Sequence, residues 1–352
     1  MPRNGKLMSD TSTSGPAPVT PASVRVPIAE LENLMVRTCA AAGVDDRAAR
    51  RVAEHFLVGE LRGKFSHGLA KFAFESRFFP KRQAPPEIVR AREAFAVVDA
   101  HREIGPLSAD FATAAAIQRA RRFGVGVVGV INTQRYGVLS TFTEAIAAHG
   151  LIGIAANTSR AEAVPAGGAT AVLGVNPLSF ALPTLGEPLS ADMGTTLAPM
   201  GVLWEHRRSG SPLPGQCFVD AEGRPTRDPH AASSAVVFGD HRGFALSLLL
   251  QALAGSLFGF PMGSDVDSAW STGYAFIALD PAFAAPDQDA SAANTRLADQ
   301  LRAAAVADGT WRLPGDRGRA LEAAARTSGT IAVPGPLLAR LSARAAGDFT
   351  SD

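Results

Sequence analysis

Four short stretches of the 352-residue chain carry groups able to do chemistry. In GKFSHG, residues 63–68, His67 sits where a loop runs into a helix, with Ser66 as an N-cap type and Gly68 giving the backbone latitude. An imidazole at a helix N-terminus is biased toward its neutral form and needs a carboxylate partner to be a good acid. In ADMGTT, residues 191–196, a strand is expected to end and a helix to begin, with Gly194 for close approach and Thr195 or Thr196 to cap. Outward amides at such a start form an anion site; the alternative is an ordinary capped helix. In GDHRGFAL, residues 239–246, His241 and Arg242 precede an apolar helix, and Arg242 is either a phosphate donor or a surface-reaching side chain. GVGVVG, residues 124–129, matches the dinucleotide pattern G-x-G-x-x-G. Its order is reversed, however: an Ala-rich helix over 109–123 ends at Gly124 and a β-branched strand follows, so these glycines read as the start of a buried strand.

The elements around these stretches define an α/β chain. Two helices are expected between Ile28 and Gly63, broken near Gly43, followed by the His67 loop and LAKFAFESRFF. From Ala94 strands and helices alternate: AFAVVD, the 109–123 helix, VGVVGVI, VLSTFTEAIAAH, LIGIAAN. Between Asn157 and Asp192 strand and turn dominate, which predicts mixed pairing. A helix over TTLAPMGVLWEHRR, a polar loop, an all-round apolar and therefore buried helix GFALSLLLQALAGSLFG, a last strand GYAFIALDP and amphipathic C-terminal helices complete the order.

Composition narrows the partners. The net charge is +1 and no basic block interleaves with aromatics, which argues against nucleic acid and anionic membranes. The longest apolar stretch, 244–257, is short of a bilayer span and contains Gln251. Residues 1–24 read as a disordered lead-in with no apolar h-region, so a cytoplasmic location is expected. The two cysteines, Cys39 and Cys217, have no CxxC partner, and none of the seven histidines has metal-ligand spacing; no metal is expected. Asp265 and Asp267 read as a solvated acidic loop.

Taken in order, SHGL, GVNPLSFALPT, ADMGTT, GDHRGFAL, GYAFIALDP and LPGD resemble the malate/L-lactate dehydrogenase-2 family, from about Val24 to the C-terminus. The resemblance implies a homodimer whose NAD(P)-binding α/β domain is not a Rossmann fold, here 93–282, with a mixed sheet. A mainly helical domain would be made of 25–92 and 283–352. It implies His67 as proton donor and acceptor with Ser66 beside it, and Asp192 as the carboxylate that orients and charges the ring. Asn176, Met193, Gly194, Thr195, Thr196, His241, Arg242, Gly315 and Asp316 would bind NAD or NADP, and Lys71 and Arg135 would face a small carboxylate substrate. The expected reaction is reduction of a 2-keto or cyclic imino acid. Oxidation of a malate- or lactate-like 2-hydroxy acid, and a retired nucleotide-binding relative, stay open as alternatives.

Departures from the family pattern concentrate at the substrate. Lys71 stands where relatives carry an Arg, Arg135 where they carry a His, and DHRG where they read GHKG. A second permanent cation at Arg135 predicts a preference for dianionic keto acids. The run His206-Arg207-Arg208 is either a 2′-phosphate site or the basic last turn of a helix.

Overall fold

The protein is described by a computed structural model covering residues 23–305 and 311–350. Its centre is a seven-stranded sheet in the spatial order Glu87–Arg92, Phe95–Asp99, Val125–Ile131, Tyr274–Leu279, Ile152–Asn157, Leu178–Leu182, Leu189–Met193. Only Phe95–Asp99 and Val125–Ile131 run parallel; the other neighbours are antiparallel, so the sheet is mixed. The parallel pair requires a crossover, which the helix Gly105–Phe123 provides. That helix stops at Gly124, whose φ of 80° is the left-handed conformation that suits glycine.

GVGVVG is core strand. A Cβ on Gly126 would lie 2.0 Å from the Ala116 carbonyl oxygen, so the missing side chain lets helix and strand approach closely. Val98, Ala112, Ala116, Val128, Val130, Phe142 and Phe276 fill the interior between this sheet and its helices.

A second core joins the two ends of the chain. Ser23–Pro27 pairs antiparallel with Thr330–Pro334, and helices Ile28–Ala41, Asp46–Leu61 and Gly335–Ala345 bury Leu31, Met35, Phe56 and Leu341 together with Phe72 and Phe79. The expected lead-in therefore ends earlier than residue 24: Ser23 and Val24 are paired strand, and the rest of it lies outside the described residues. A division at 92/93 would cut the hairpin between Glu87–Arg92 and Phe95–Asp99.

Three expectations are corrected by tertiary contacts. The helix after Asp192 begins at Met200, not at Thr195. Thr195 N–H donates to the Val175 carbonyl at 2.9 Å and Leu197 N–H to that of Val236 at 2.8 Å, so these backbone groups serve neighbouring segments. Pro199, with φ −71°, then sets the first turn. The polar loop after 210 is not structureless: Phe218–Val219, Pro225–Thr226 and Ser234–Val236 join Ala163–Val164 in a small sheet over Leu203 and Leu213. The apolar helix His241–Gln251 and its extension Ala252–Ser256 are not buried all round, because Leu248, Leu249 and Leu257 are about half exposed.

Candidate active site

The helix Asp46–Leu61 positions the first wall of the site. Asp45 caps it by accepting from Ala48 N–H at 3.0 Å, and Val52, Phe56 and Leu57 anchor it in the core. Its last turn carries Gly59 and Glu60, against which the short turn Phe65–His67 is pressed: a Cβ on Gly59 would meet the His67 carbonyl oxygen at 2.8 Å. Glu60 Oε2 accepts the Leu69 N–H at 2.9 Å and so ties down the start of the helix Leu69–Glu75. Burial pushes the Glu60 carboxyl up to about 7.

His55, on the same helix, holds the second wall. Its Nε2 accepts the Gly137 N–H at 3.2 Å, so Nδ1 carries the proton and donates to Thr141 Oγ1 at 3.0 Å. The ring is buried against Phe142, and burial keeps it neutral, well below the ordinary histidine range. This neutral bridge fixes the loop carrying Arg135, Tyr136 and Gly137 relative to His67.

Between these walls and the end of strand Leu189–Met193 lies a cleft of about 650 Å³, within the size range of small-molecule sites. It gathers Ser66, His67, Lys71, Arg135, Asp192, Met193, Gly194 and Thr196. The half-buried His67 ring is held by Ser66 Oγ, 2.9 Å from Nδ1. Its pKa falls to about 4, first because of burial and then because of Lys71 and Lys64, against the opposing charge of Asp192.

Asp192 differs from its expected orienting role. Its Oδ2 accepts from the Leu139 and Ser140 N–H groups at 3.1 and 3.2 Å, at the start of helix Ser140–Ala147, and pairs with Lys64 Nζ at 2.8 Å. Among the described residues it makes no hydrogen bond to His67; it acts on the ring through space, and Ser66 supplies the contact. The carboxylate was thus expected to raise the ring toward working pH, but burial and two lysines outweigh it.

Lys71 and Arg135 both reach a third charge, the buried Glu75, whose Oε1 lies 3.1 Å from Lys71 Nζ and 3.8 Å from Arg135 Nη1. The two cations are therefore not free, as the expected preference for dianions requires.

The expected cofactor residues divide. Met193, Gly194 and Thr196 line the cleft. Asn176 and Thr195 are buried beneath it: Asn176 Nδ2 donates to Ser247 Oγ at 2.8 Å, and the Thr195 hydroxyl and N–H both donate to the Val175 carbonyl. His241 and Arg242 are exposed at the start of their helix and do not line the cleft. Gly315 caps the helix Asp316–Ser328, and Asp316 binds Arg319 at 2.9 Å beside a separate hollow. Lys64, Tyr136, Asn157, Arg160, Glu162 and Trp204 also line the cleft without having been singled out from sequence. Lys64 alone carried a signal, as a cation three residues from His67.

The chain matches the malate/L-lactate dehydrogenase family over residues 26–342. It belongs to that family. A Δ1-pyrroline-2-carboxylate reductase of Ancylobacter novellus is 32% identical over 340 residues, covering 91% of this chain and 97% of that protein. A malate dehydrogenase of Pyrococcus abyssi is 31% identical over 250 residues, 67% of this chain and 69% of that protein. The crystal structure of a Sinorhizobium meliloti dehydrogenase superposes with a TM-score of 0.83 at 31% identity, over 92% of this chain and 98% of that one. This family member is an NAD(P)-dependent oxidoreductase of small carboxylic acids with a mixed α/β fold. No helix among the described residues is long and apolar enough to cross a membrane.

Proposed function

We propose that this family member is an NAD(P)H-dependent reductase, and reversible dehydrogenase, of a small 2-keto or cyclic imino acid, with His67 exchanging the proton. The observation that carries the reading is that His67 lines one cleft together with two cations, Lys71 and Arg135, and with Met193, Gly194 and Thr196. A carboxylate held by the cations leaves the adjacent C=O or C=N beside the imidazole. At Gly194 a Cβ would come within 2.9 Å of Val175, so packing against that side chain accounts for the glycine. Met193, Gly194 and Thr196 would hold the nicotinamide cofactor, which supplies the hydride when bound. His67 then gives a proton to the substrate oxygen or nitrogen, while Ser66 keeps the ring in place.

Substrate binding helps the acid role: a carboxylate beside Lys71 offsets one of the charges that depress His67, and its pKa rises from about 4. The low resting value supports the second reading, oxidation of a 2-hydroxy acid, in which neutral His67 accepts the hydroxyl proton. The seven-stranded sheet, with one parallel pair among its six neighbouring pairs, supports a cofactor domain that is not a Rossmann fold, since that fold is mostly parallel. The half-exposed Leu248, Leu249 and Leu257 support a homodimer. Arg207 donates to the Pro229 and Ala232 carbonyls at 2.8 and 2.6 Å, which supports reading the 206–208 run as structural rather than as a 2′-phosphate site.

The test is cofactor oxidation with a panel of 2-keto and cyclic imino acids, run with NADH and NADPH, for wild type and His67→Ala. The variant should lose roughly 10²–10⁴ in kcat with cofactor affinity near wild type. Undiminished turnover removes His67 from the reaction.

A further inference from the structure

We propose that Glu75, beneath the cleft, sets the charge of the substrate-carboxylate end and selects substrates with a single carboxylate there over dianions. The inference rests on the reading of Lys71 and Arg135 given above and names a residue which that reading does not need.

Glu75 ends the helix Leu69–Glu75, one turn after Lys71, and its side chain is 1% exposed. A buried carboxylate ordinarily accepts several hydrogen bonds. Among the described residues, neither oxygen of Glu75 accepts an aligned one. What compensates it is charge: Lys71 Nζ at 3.1 Å from one turn earlier on the same helix and Arg135 Nη1 at 3.8 Å from the loop before Ser140. Both cations also lie over the Phe74 ring, 5.8 and 6.0 Å from its centroid, so the three charged side chains form one cluster on an apolar bed. An apolar residue would fill the position with no desolvation cost, so packing gives no reason for a carboxylate.

The electrostatic consequence is direct. Two cations and one buried anion present about one net positive charge to the cleft. The other charged groups at this end, Arg160 and Glu162, offset each other; Glu162 is raised by burial against the pull of Arg135, Arg160 and Lys71. One substrate carboxylate balances the cluster. A second adds a negative charge to a cluster that the first has already balanced, above the 1% exposed Glu75. The buried anion also draws the Lys71 ammonium and the Arg135 guanidinium toward one point, which gives a mobile lysine a fixed place.

The experiment compares kcat/KM for 2-oxopentanoate and 2-oxoglutarate, which have the same carbon chain and differ by one carboxylate, with Δ1-pyrroline-2-carboxylate as a third substrate. Wild type should favour the monocarboxylates. Glu75→Gln, close to isosteric, should shift the diacid-to-monoacid ratio toward the diacid by at least about tenfold, which corresponds to about 1.4 kcal/mol. Glu75→Asp, which keeps the charge, should hold the wild-type ratio even where its absolute rates fall, whereas a merely structural role would lower both substrates alike in both variants. An unchanged ratio in an active Glu75→Gln enzyme overturns the proposal and leaves the reading of the cleft intact. A wild type that prefers 2-oxoglutarate overturns it without any variant. If wild type turns over none of the three with either cofactor, the reading of the cleft fails and the proposal falls with it.

Discussion

Lys64→Met should move the titration of His67 upward. Lys64 Nζ lies 2.8 Å from Asp192 Oδ2 and also depresses His67 directly, so its removal has two effects of one sign: a like charge leaves the ring, and the carboxylate facing it is no longer neutralised. A single charge within about 4–6 Å shifts a pKa by about 1–3 units. The Lys64 side chain is 34% exposed, which screens it and favours the lower part of that range. Lys64 is the weakest of the four influences on the ring, so a rise of at most about one unit, or about 1.4 kcal/mol, is expected. It carries His67 upward from about 4. In the oxidative direction the neutral ring is the active form, so kcat/KM is flat at high pH and falls as pH drops through the pKa; the falling limb should move up in the variant. In reduction the protonated ring is required, and the variant should keep its activity to correspondingly higher pH. Profiles in both directions, with the His67 ring proton followed by NMR and assigned by its loss in His67→Gln, measure the shift. A folded Lys64→Met enzyme whose limb stays in place or moves down would refute the charge argument.

Gly126→Ala should destabilise the fold by about 3 kcal/mol or more, because the new methyl meets the Ala116 carbonyl oxygen at 2.0 Å. Denaturant unfolding reads this, and a well-folded variant with selectively lost cofactor affinity would show instead that the glycine serves a ligand. Glu60→Gln tests the buried carboxyl whose pKa rises from 4.5 to about 7. A raised folded-state value contributes stability that is complete below the unfolded pKa and is lost as pH rises through the folded one. The variant should therefore gain on wild type between those two values, by roughly 3 kcal/mol at most. A stability difference that stays flat across the window counts against burial as the cause.

Much of the fold was legible because it is local. The Ala-rich run over 109–123, its basic last turn and the glycine after it announce all but the first turn of the helix Gly105–Phe123, and β-branched runs announce Val125–Ile131, Ile152–Asn157 and Tyr274–Leu279. That order of elements was enough to read GVGVVG as strand. The motifs around His67 and Asp192 also single out two residues that line one cleft. Tertiary structure decided their neighbours. Thr195 and Leu197 would continue a helix by local preference, yet segments 173–176 and 236–238 take their backbone groups, and the helix waits until Met200. Asp192 was paired in sequence with the histidine, but folding brings Lys64 and two helix-start amides to the same oxygen. Glu75 and Lys71 share a helix face at four-residue spacing, which a sequence displays; that Arg135 joins them from another loop it does not. Periodicity belongs to the backbone and is written within a few residues. Charge acts across space, so the charge a site presents depends on which distant elements the core brings together.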